Sequence, residues 1–137
     1  MSRAAHELLQ SYYAAFNAGD WNRFVDLLAD DVVHDINQGG RELGRDAFIA
    51  FMHRMNRCYR ERIENIEIMS NPDGTRCAVE FTVLGTYLNT DEGLPEARGQ
   101  TYRLPGGAFF ELRAGKVVRI SNYYNLQDWL TQVGTEA

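Results

Sequence analysis

The sequence contains only two cysteines in 137 residues. Cys58 and Cys77 lie far apart and lack the spacing of metal-binding thiols, so they read as reduced, packed side chains, with a disulfide possible but not required. Excess positive charge is also missing: 14 Lys and Arg face 19 Asp and Glu, for a net charge of -5. Such a balance offers no electrostatic footprint to a phosphate backbone, and no nucleic-acid partner is expected. No apolar run approaches the length needed to cross a bilayer, and the N-terminal MSRAAHELLQ has neither the apolar stretch nor the cleavage pattern of a secretory signal. The expectation is a soluble, cytoplasmic protein with no membrane partner. The sequence also lacks a glycine-rich phosphate loop after a strand, a nucleophile elbow and a convincing Cys-His pair. Nucleotide use and covalent catalysis therefore find no support, and no cofactor is expected.

What is present is ordinary globular composition, 45% apolar and 24% charged. A chain of this length buries about 70% of its unfolded surface, which suffices for one domain over residues 1–137 with a core large enough to be hollowed. No linker, repeat or low-complexity segment divides it. Ala5, Leu8, Leu9, Tyr12, Tyr13 and Phe16 recur at helical spacing, and Asn17-Ala18-Gly19 ends that helix. Asp20 is an N-cap for a second short helix with Trp21, Phe24, Val25 and Leu28 on its apolar face. Val32 to Ile36 follows as a strand, Gly39-Gly40 as a turn, and Phe48, Phe51, Met52, Met55 and Tyr59 mark a third helix between about Asp46 and Arg60.

After Arg62 the period changes to two. Ile63 to Ile68, Cys77 to Leu88, Gln100 to Leu112 and Val117 to Tyr124 read as antiparallel strands, turned at Asn71-Pro72-Asp73-Gly74 and Ala114-Gly115-Lys116. Asn89 to Gly99 is either an exposed hairpin tip or a loop over a pocket mouth. Pro105-Gly106-Gly107 predicts a bulge or sharp bend. Leu126 to Val133 is a short closing helix with Trp129 and Leu130 inward. The expected class is α+β: three N-terminal helices packed on a strongly curved, mixed and mostly antiparallel sheet, cone-shaped, with a short C-terminal helix.

Three stretches carry a resemblance over nearly the whole chain: QSYYAAFNAGDWNRFVDLLADDVVHD, the GRELG-RDAF entry to the third helix, and GKVVRISNYYNLQDWL. Their order and spacing resemble the nuclear transport factor 2-like superfamily, in particular its ketosteroid isomerase and SnoaL-like polyketide cyclase branch. The resemblance implies a cone that binds a small apolar or carbonyl-containing compound, cofactor-free proton transfer of isomerase or cyclase type, and a homodimer. In the isomerases an Asp moves a proton beside a carbonyl while a Tyr hydroxyl and a protonated Asp hold the oxyanion, a case worked in general treatments of pKa tuning. The resemblance puts Tyr12 at the oxyanion tyrosine and Asp35 at the base, with His34 as the alternative if the strand is counted from Asp30-Asp31. The second oxyanion acid is replaced by Gly107-Ala108. The acid of the cyclases at the last strand is replaced by Asn122, which hydrogen-bonds but exchanges no proton near neutral pH.

The residues themselves leave alternatives open. Asp35 is either a solvated strand carboxylate or a desolvated base in an apolar pocket, and His34 has the opposite strand parity, so only one of the two enters the cone. Tyr12 is either a core aromatic or a hydroxyl donor. Ile120, Asn122 and Tyr124 share one parity and, with Tyr102 and Trp129, are the remaining candidate substrate contacts, against ordinary sheet packing. His53 and Arg57 read as a solvated helix face, extended by Arg60 and Arg62. Asp30, Asp31, His34 and Asp35 alternate faces and do not converge on an ion, so no metal is expected. A non-catalytic ligand-binding or dimeric interaction domain is the competing reading, favoured if side chains fill the cone.

Overall fold

A computed structural model describes residues 2–134. Chain order is α1 (Arg3–Ala18), α2 (Trp21–Asp26), β1 (Leu28–Ile36), β2 (Arg41–Leu43), α3 (Arg45–Cys58), β3 (Tyr59–Ser70), β4 (Arg76–Tyr87), β5 (Thr101–Arg113), β6 (Lys116–Tyr124) and α4 (Leu126–Gly134). Local chemistry sets the helix ends. The Ser2 hydroxyl accepts from the Ala5 N–H at the start of α1, and Gly19 closes that helix at φ 68°, sending its N–H back to the carbonyls of Ala15 and Phe16. Asp20 then caps α2 by accepting from the Arg23 N–H.

The strands form one six-stranded sheet in the order β2-β1-β6-β5-β4-β3. Only β1 and β6 run parallel, and the other pairs are antiparallel. The mixed, mostly antiparallel α+β architecture with a short C-terminal helix is thus as the sequence indicates. The helices pack on one face of the curved sheet, and Leu9, Tyr12, Phe24, Phe48, Phe110 and Ile120 form the core between them. Among the described residues no helix is long and apolar enough to cross a membrane.

Tyr59, expected on the third helix, opens β3, and three further details differ from the sequence reading. First, β1 begins at Leu28, so the residue expected on α2 already belongs to the sheet. Second, the Gly39-Gly40 turn leads into the short strand β2, which pairs with His34 and its neighbours. Third, no bulge occurs at Pro105-Gly106-Gly107, because β5 pairs with β4 without a break from Thr101 to Glu111. Proline is tolerated there for a simple reason. Arg103, two residues earlier, turns its backbone N–H and C=O away from β4 to the Gln132 side chain, with both contacts at 2.9 Å. Pro105 has the same orientation and lies beyond the end of β6, whose pairing stops at Gly106↔Tyr124. No ladder bond is lost.

The real irregularities lie elsewhere. The register of β3 against β4 shifts between Glu64 and Glu67, where Asn65 sits at φ 53°. That bulge flips strand parity, so Tyr59, Glu61 and Ile63 share the helix-facing side with Ile68 beyond it. At the free edge of β3, the Asn17 side chain brackets Ile63: its Nδ2 donates to the carbonyl and its Oδ1 accepts from the N–H, both at 2.8 Å. Two glycines make room for rings crossing from neighbouring strands. A Cβ on Gly106 would lie 2.5 Å from Phe81 Cε1, and one on Gly85 would lie 2.2 Å from Tyr102 Cζ.

Candidate functional site

Helical periodicity turns Tyr12 and Tyr13 of α1 into the cone, where they are 5% and 4% exposed. The Tyr12 ring packs on Phe24, Tyr13 and Phe110 with centroids 4.5, 5.0 and 5.2 Å away. Burial pushes both phenols well above the ordinary tyrosine range, and for Tyr13 the neighbouring Tyr12 adds to it. Both therefore remain hydrogen-bond donors at any physiological pH. The Tyr13 hydroxyl is buried and has no hydrogen-bond partner among the described residues.

On β1 the alternation separates His34 from Asp35. His34 is 4% exposed and lies against Phe48 and Phe51 of α3, with ring centroids 4.8 and 4.6 Å away. Desolvation lowers its pKa, opposed by Glu42, whose Oε1 lies 3.6 Å from Nδ1. Asp35 occupies the opposite, outer face. Arg41 grips it twice, Nε to Oδ1 at 2.6 Å and Nη2 to Oδ2 at 3.0 Å, and Arg119 Nε donates to Oδ2 at 2.9 Å. The hydrogen bond from Arg41, joined by Arg119, holds its carboxyl below the usual aspartate value. The expected meeting of Tyr12 and Asp35 in one cavity is thus corrected. Leu28, Val32 and His34 are the buried members of β1, and alternation from His34 leaves Asp35 between two guanidiniums on the other side.

Pairing across the sheet puts His34 beside Ile120, and Ile120 beside Phe110. Asn122 and Tyr124 continue the face of Ile120 but emerge toward the open end of the cone, where Tyr124 is 40% exposed. Tyr102 and Trp129 are buried at that end, in ring contact with each other at 6.0 Å, and Trp129 also touches Tyr59 and Tyr87.

Several groups here escaped the sequence reading. The Tyr102 hydroxyl donates to Glu61 Oε2 at 2.6 Å. Burial raises the Glu61 carboxyl above its ordinary value, and the Tyr102 hydrogen bond partly offsets the rise. Asp91, 5% exposed, fastens the 88–100 loop over this end. It accepts two bonds from Arg54 on Oδ1 and the Tyr59 hydroxyl on Oδ2, while its own N–H donates to the Tyr87 hydroxyl. The loop is therefore packed down on the domain at Asp91 rather than an exposed tip, and it lines neither of the grooves below. Counting parity back from Ile63 would have placed Glu61 inward. A count run back from Ile68 without the bulge at Asn65 gives the opposite face.

Two open grooves adjoin Tyr124 and the Glu61–Tyr102 pair respectively, and Tyr12 and Tyr13 line neither. One, about 750 Å³, runs over the Gly106-Gly107 segment beside Phe81, Tyr123, Tyr124 and Asn125. The other, about 690 Å³, spans from Asn17 at the end of α1, past Glu61, Gly85 and Tyr102, to Gln132 on α4. Among the described residues no three His, Cys, Asp or Glu side chains converge where a metal ion could sit. What the site offers chemically is a set of protonated phenols, a desolvated carboxyl and an aromatic lining.

Comparison with known proteins places this geometry in context. The SnoaL-like domain family matches residues 9–120. The chain is similar to a protein from Pseudomonas putida KT2440 described as a putative polyketide cyclase. The two share 61% identity with a TM-score of 0.92, over 94% of this chain and 97% of that one. A Silicibacter sp. TM1040 protein with the same description is 47% identical, with a TM-score of 0.94 and 97% of each chain covered. An NTF2-like protein of unknown function from Burkholderia pseudomallei K96243 shares the fold alone, at 20% identity and a TM-score of 0.81, over 98% of this chain and 100% of that one. No curated protein matches the sequence.

Proposed function

The chain belongs to the SnoaL-like domain family, and from that premise we propose that it binds a small apolar carbonyl compound on the concave face of its cone and catalyses cofactor-free proton transfer of the cyclase or isomerase type. The observation that carries this reading is Tyr13. A buried hydroxyl without a partner costs about 1–3 kcal/mol, and one that stays protonated suits an acceptor brought by a ligand, such as a carbonyl oxygen. Tyr12 stands beside it as a second phenol. Ile120, Asn122, Tyr124, Tyr102 and Trp129 supply the apolar and hydrogen-bonding surface leading inward. His34 supports that surface from behind Ile120. The base role leaves Asp35, which is neutralised by two arginines on the far face.

The test uses 2-tetralone, a bicyclic ketone with acidic α-protons, in deuterated buffer. Its α-proton exchange, followed by proton NMR, is expected to run faster with the protein than with buffer, and to slow at least tenfold with Tyr13→Phe. Exchange no faster than in buffer would defeat the reading.

A second reading is favoured by the outer face. Phe109 and Tyr123 stand 51% and 43% exposed in ring contact at 5.5 Å, with Met69 51% exposed on the same side. That patch supports a homodimer formed through the sheet, compatible with either catalysis or a purely interacting role. Phe109→Glu is expected to shift sedimentation from dimer to monomer. A wild-type protein that sediments as a monomer at high micromolar concentration would remove this reading.

A further inference from the structure

We propose that Glu61, held by Tyr102 across Gly85, is the acid–base centre of this protein, and that the groove between the end of α1 and α4 is where an uncharged carbonyl or enol compound meets it. This rests on the reading above and names the group that reading leaves unassigned.

The geometry comes from three neighbouring strands. Tyr102 on β5 pairs with Gly85 on β4, and Gly85 pairs with Glu61 on β3. Side chains opposite one another in antiparallel strands share a face, so Tyr102 and Glu61 flank a position with no side chain. The Tyr102 ring lies in that gap, within what would be 2.2 to 2.5 Å of a Cβ. Any other residue at position 85 would separate the phenol from the carboxyl. Of the two Glu61 oxygens, the hydroxyl engages Oε2. No hydrogen bond reaches Oε1 among the described residues, which leaves that oxygen able to receive a proton.

The surroundings fit a small ligand. A groove of about 690 Å³ falls within the usual range of small-molecule sites, roughly 300–1,000 Å³. Its far walls are the amides of Asn17 and Gln132, and the guanidiniums of Arg60, Arg62 and Arg103 line it as well. Arg62 is already paired with Glu64. Tyr124, whose phenol is raised by burial and by the charges of Glu61 and Asp91, lines the neighbouring groove rather than this one. Burial also makes Glu61 a stronger base than an exposed glutamate, which suits proton abstraction near neutral pH.

The step balances without a co-reactant. Glu61 Oε1 takes a proton from the carbon next to the carbonyl, and the C–H electrons form the C=C bond of an enolate. The negative charge moves to the carbonyl oxygen, beside the guanidiniums that line the same groove. Glu61 then returns the proton to carbon, or the enolate carbon attacks a second carbonyl of the same ligand and the proton goes to the new alkoxide.

The test measures α-proton exchange of 2-tetralone in deuterated buffer against pH for wild type, Glu61→Gln and Tyr102→Phe, with circular dichroism melts to check folding. Glu61→Gln keeps an acceptor for Tyr102, so a folded protein with exchange reduced at least tenfold is expected. Tyr102→Phe removes the bond that favours the ionised carboxyl, so the pH midpoint of exchange is expected to move upward, a displacement that a merely structural tyrosine would not produce. Wild-type exchange preserved in Glu61→Gln but lost in Tyr13→Phe would overturn the assignment of Glu61 and leave the carbonyl chemistry standing. Wild-type exchange at the buffer rate would overturn both.

Discussion

Replacing Gly85 with alanine isolates the contact between β5 and β3. The glycine's φ lies outside the left-handed region, so alanine is compatible with the backbone, and the loss of chain freedom in the unfolded state alone should stabilise by about 0.4–1 kcal/mol. Against that, the new Cβ would sit 2.2, 2.3 and 2.5 Å from Cζ, Cε2 and the hydroxyl oxygen of Tyr102. Carbon atoms pack at about 3.5–4.0 Å, so the ring must move by about 1 Å or more, and a 2.6 Å hydrogen bond to Glu61 does not survive such a displacement. Overpacking costs about 1–3 kcal/mol, and a lost hydrogen bond to an ionisable group about 1.5–3 kcal/mol. The net expectation is a loss of roughly 2–4 kcal/mol, measured by urea unfolding. Tyr102→Phe should cost about half as much, because the ring stays. In Gly85→Ala/Tyr102→Ala the clash has no partner, so the double variant should be more stable than the sum of the singles implies, by at least about 1 kcal/mol. Gly85→Ala within 0.5 kcal/mol of wild type, or strict additivity, would refute the account of Gly85 as the passage for the Tyr102 ring.

The two histidine and aspartate neighbours on β1 should respond to pH in different ranges. The lowered pKa of His34 means the unfolded chain takes up a proton first, so its contribution is complete above about pH 6.5 and is lost as pH falls below it. Urea midpoints of His34→Gln should therefore decline less than those of wild type between pH 7 and 5, and parallel declines would contradict the burial argument. Asp35 is held below the ordinary value chiefly by Arg41, so its stabilisation is present above about pH 4 and disappears as pH falls through the lower folded value. Asp35→Asn should lose on the order of 1 kcal/mol at pH 7, given the partial exposure of the pair, and progressively less as the pH falls below about 4. Tetralone exchange should be unaffected by it, and a large fall would return Asp35 to the chemistry.

The elements whose chemistry is local were legible in the sequence. The stripe from Ala5 to Phe16, the Gly19 stop, the Asp20 cap and the turns at 71–74 and 114–116 all act within a few residues, and the fold reproduces them. Burial of Tyr12 and Trp129 followed from the same helical periodicity. What could not be read was anything set by register. Whether His34 or Asp35 faces the helices depends on how β1 meets β6, and the inward turn of Glu61 depends on a bulge at an ordinary asparagine. Pro105 misled for a related reason, since a proline looks disruptive until one knows that no strand lies on its unpaired side. Gly85 carried no turn signature at all; its meaning is a ring arriving from 17 residues further along the chain, Tyr102.

Asn17 and Gln132 have a consequence of another kind. A sheet that ends in open strands offers unpaired backbone groups to any passing chain, and such borders are where extended segments add and fibres begin. Here the β3 border is occupied at Ile63, and the stretch of β5 that runs past the end of β6 is occupied at Arg103, each by a primary amide that imitates a peptide group, accepting from the N–H and donating to the carbonyl of that residue. Each amide acts as a one-residue counterfeit strand that occupies the place without extending the ladder. At these two positions the sheet is closed to a further strand from within the chain, while β2 remains its other edge.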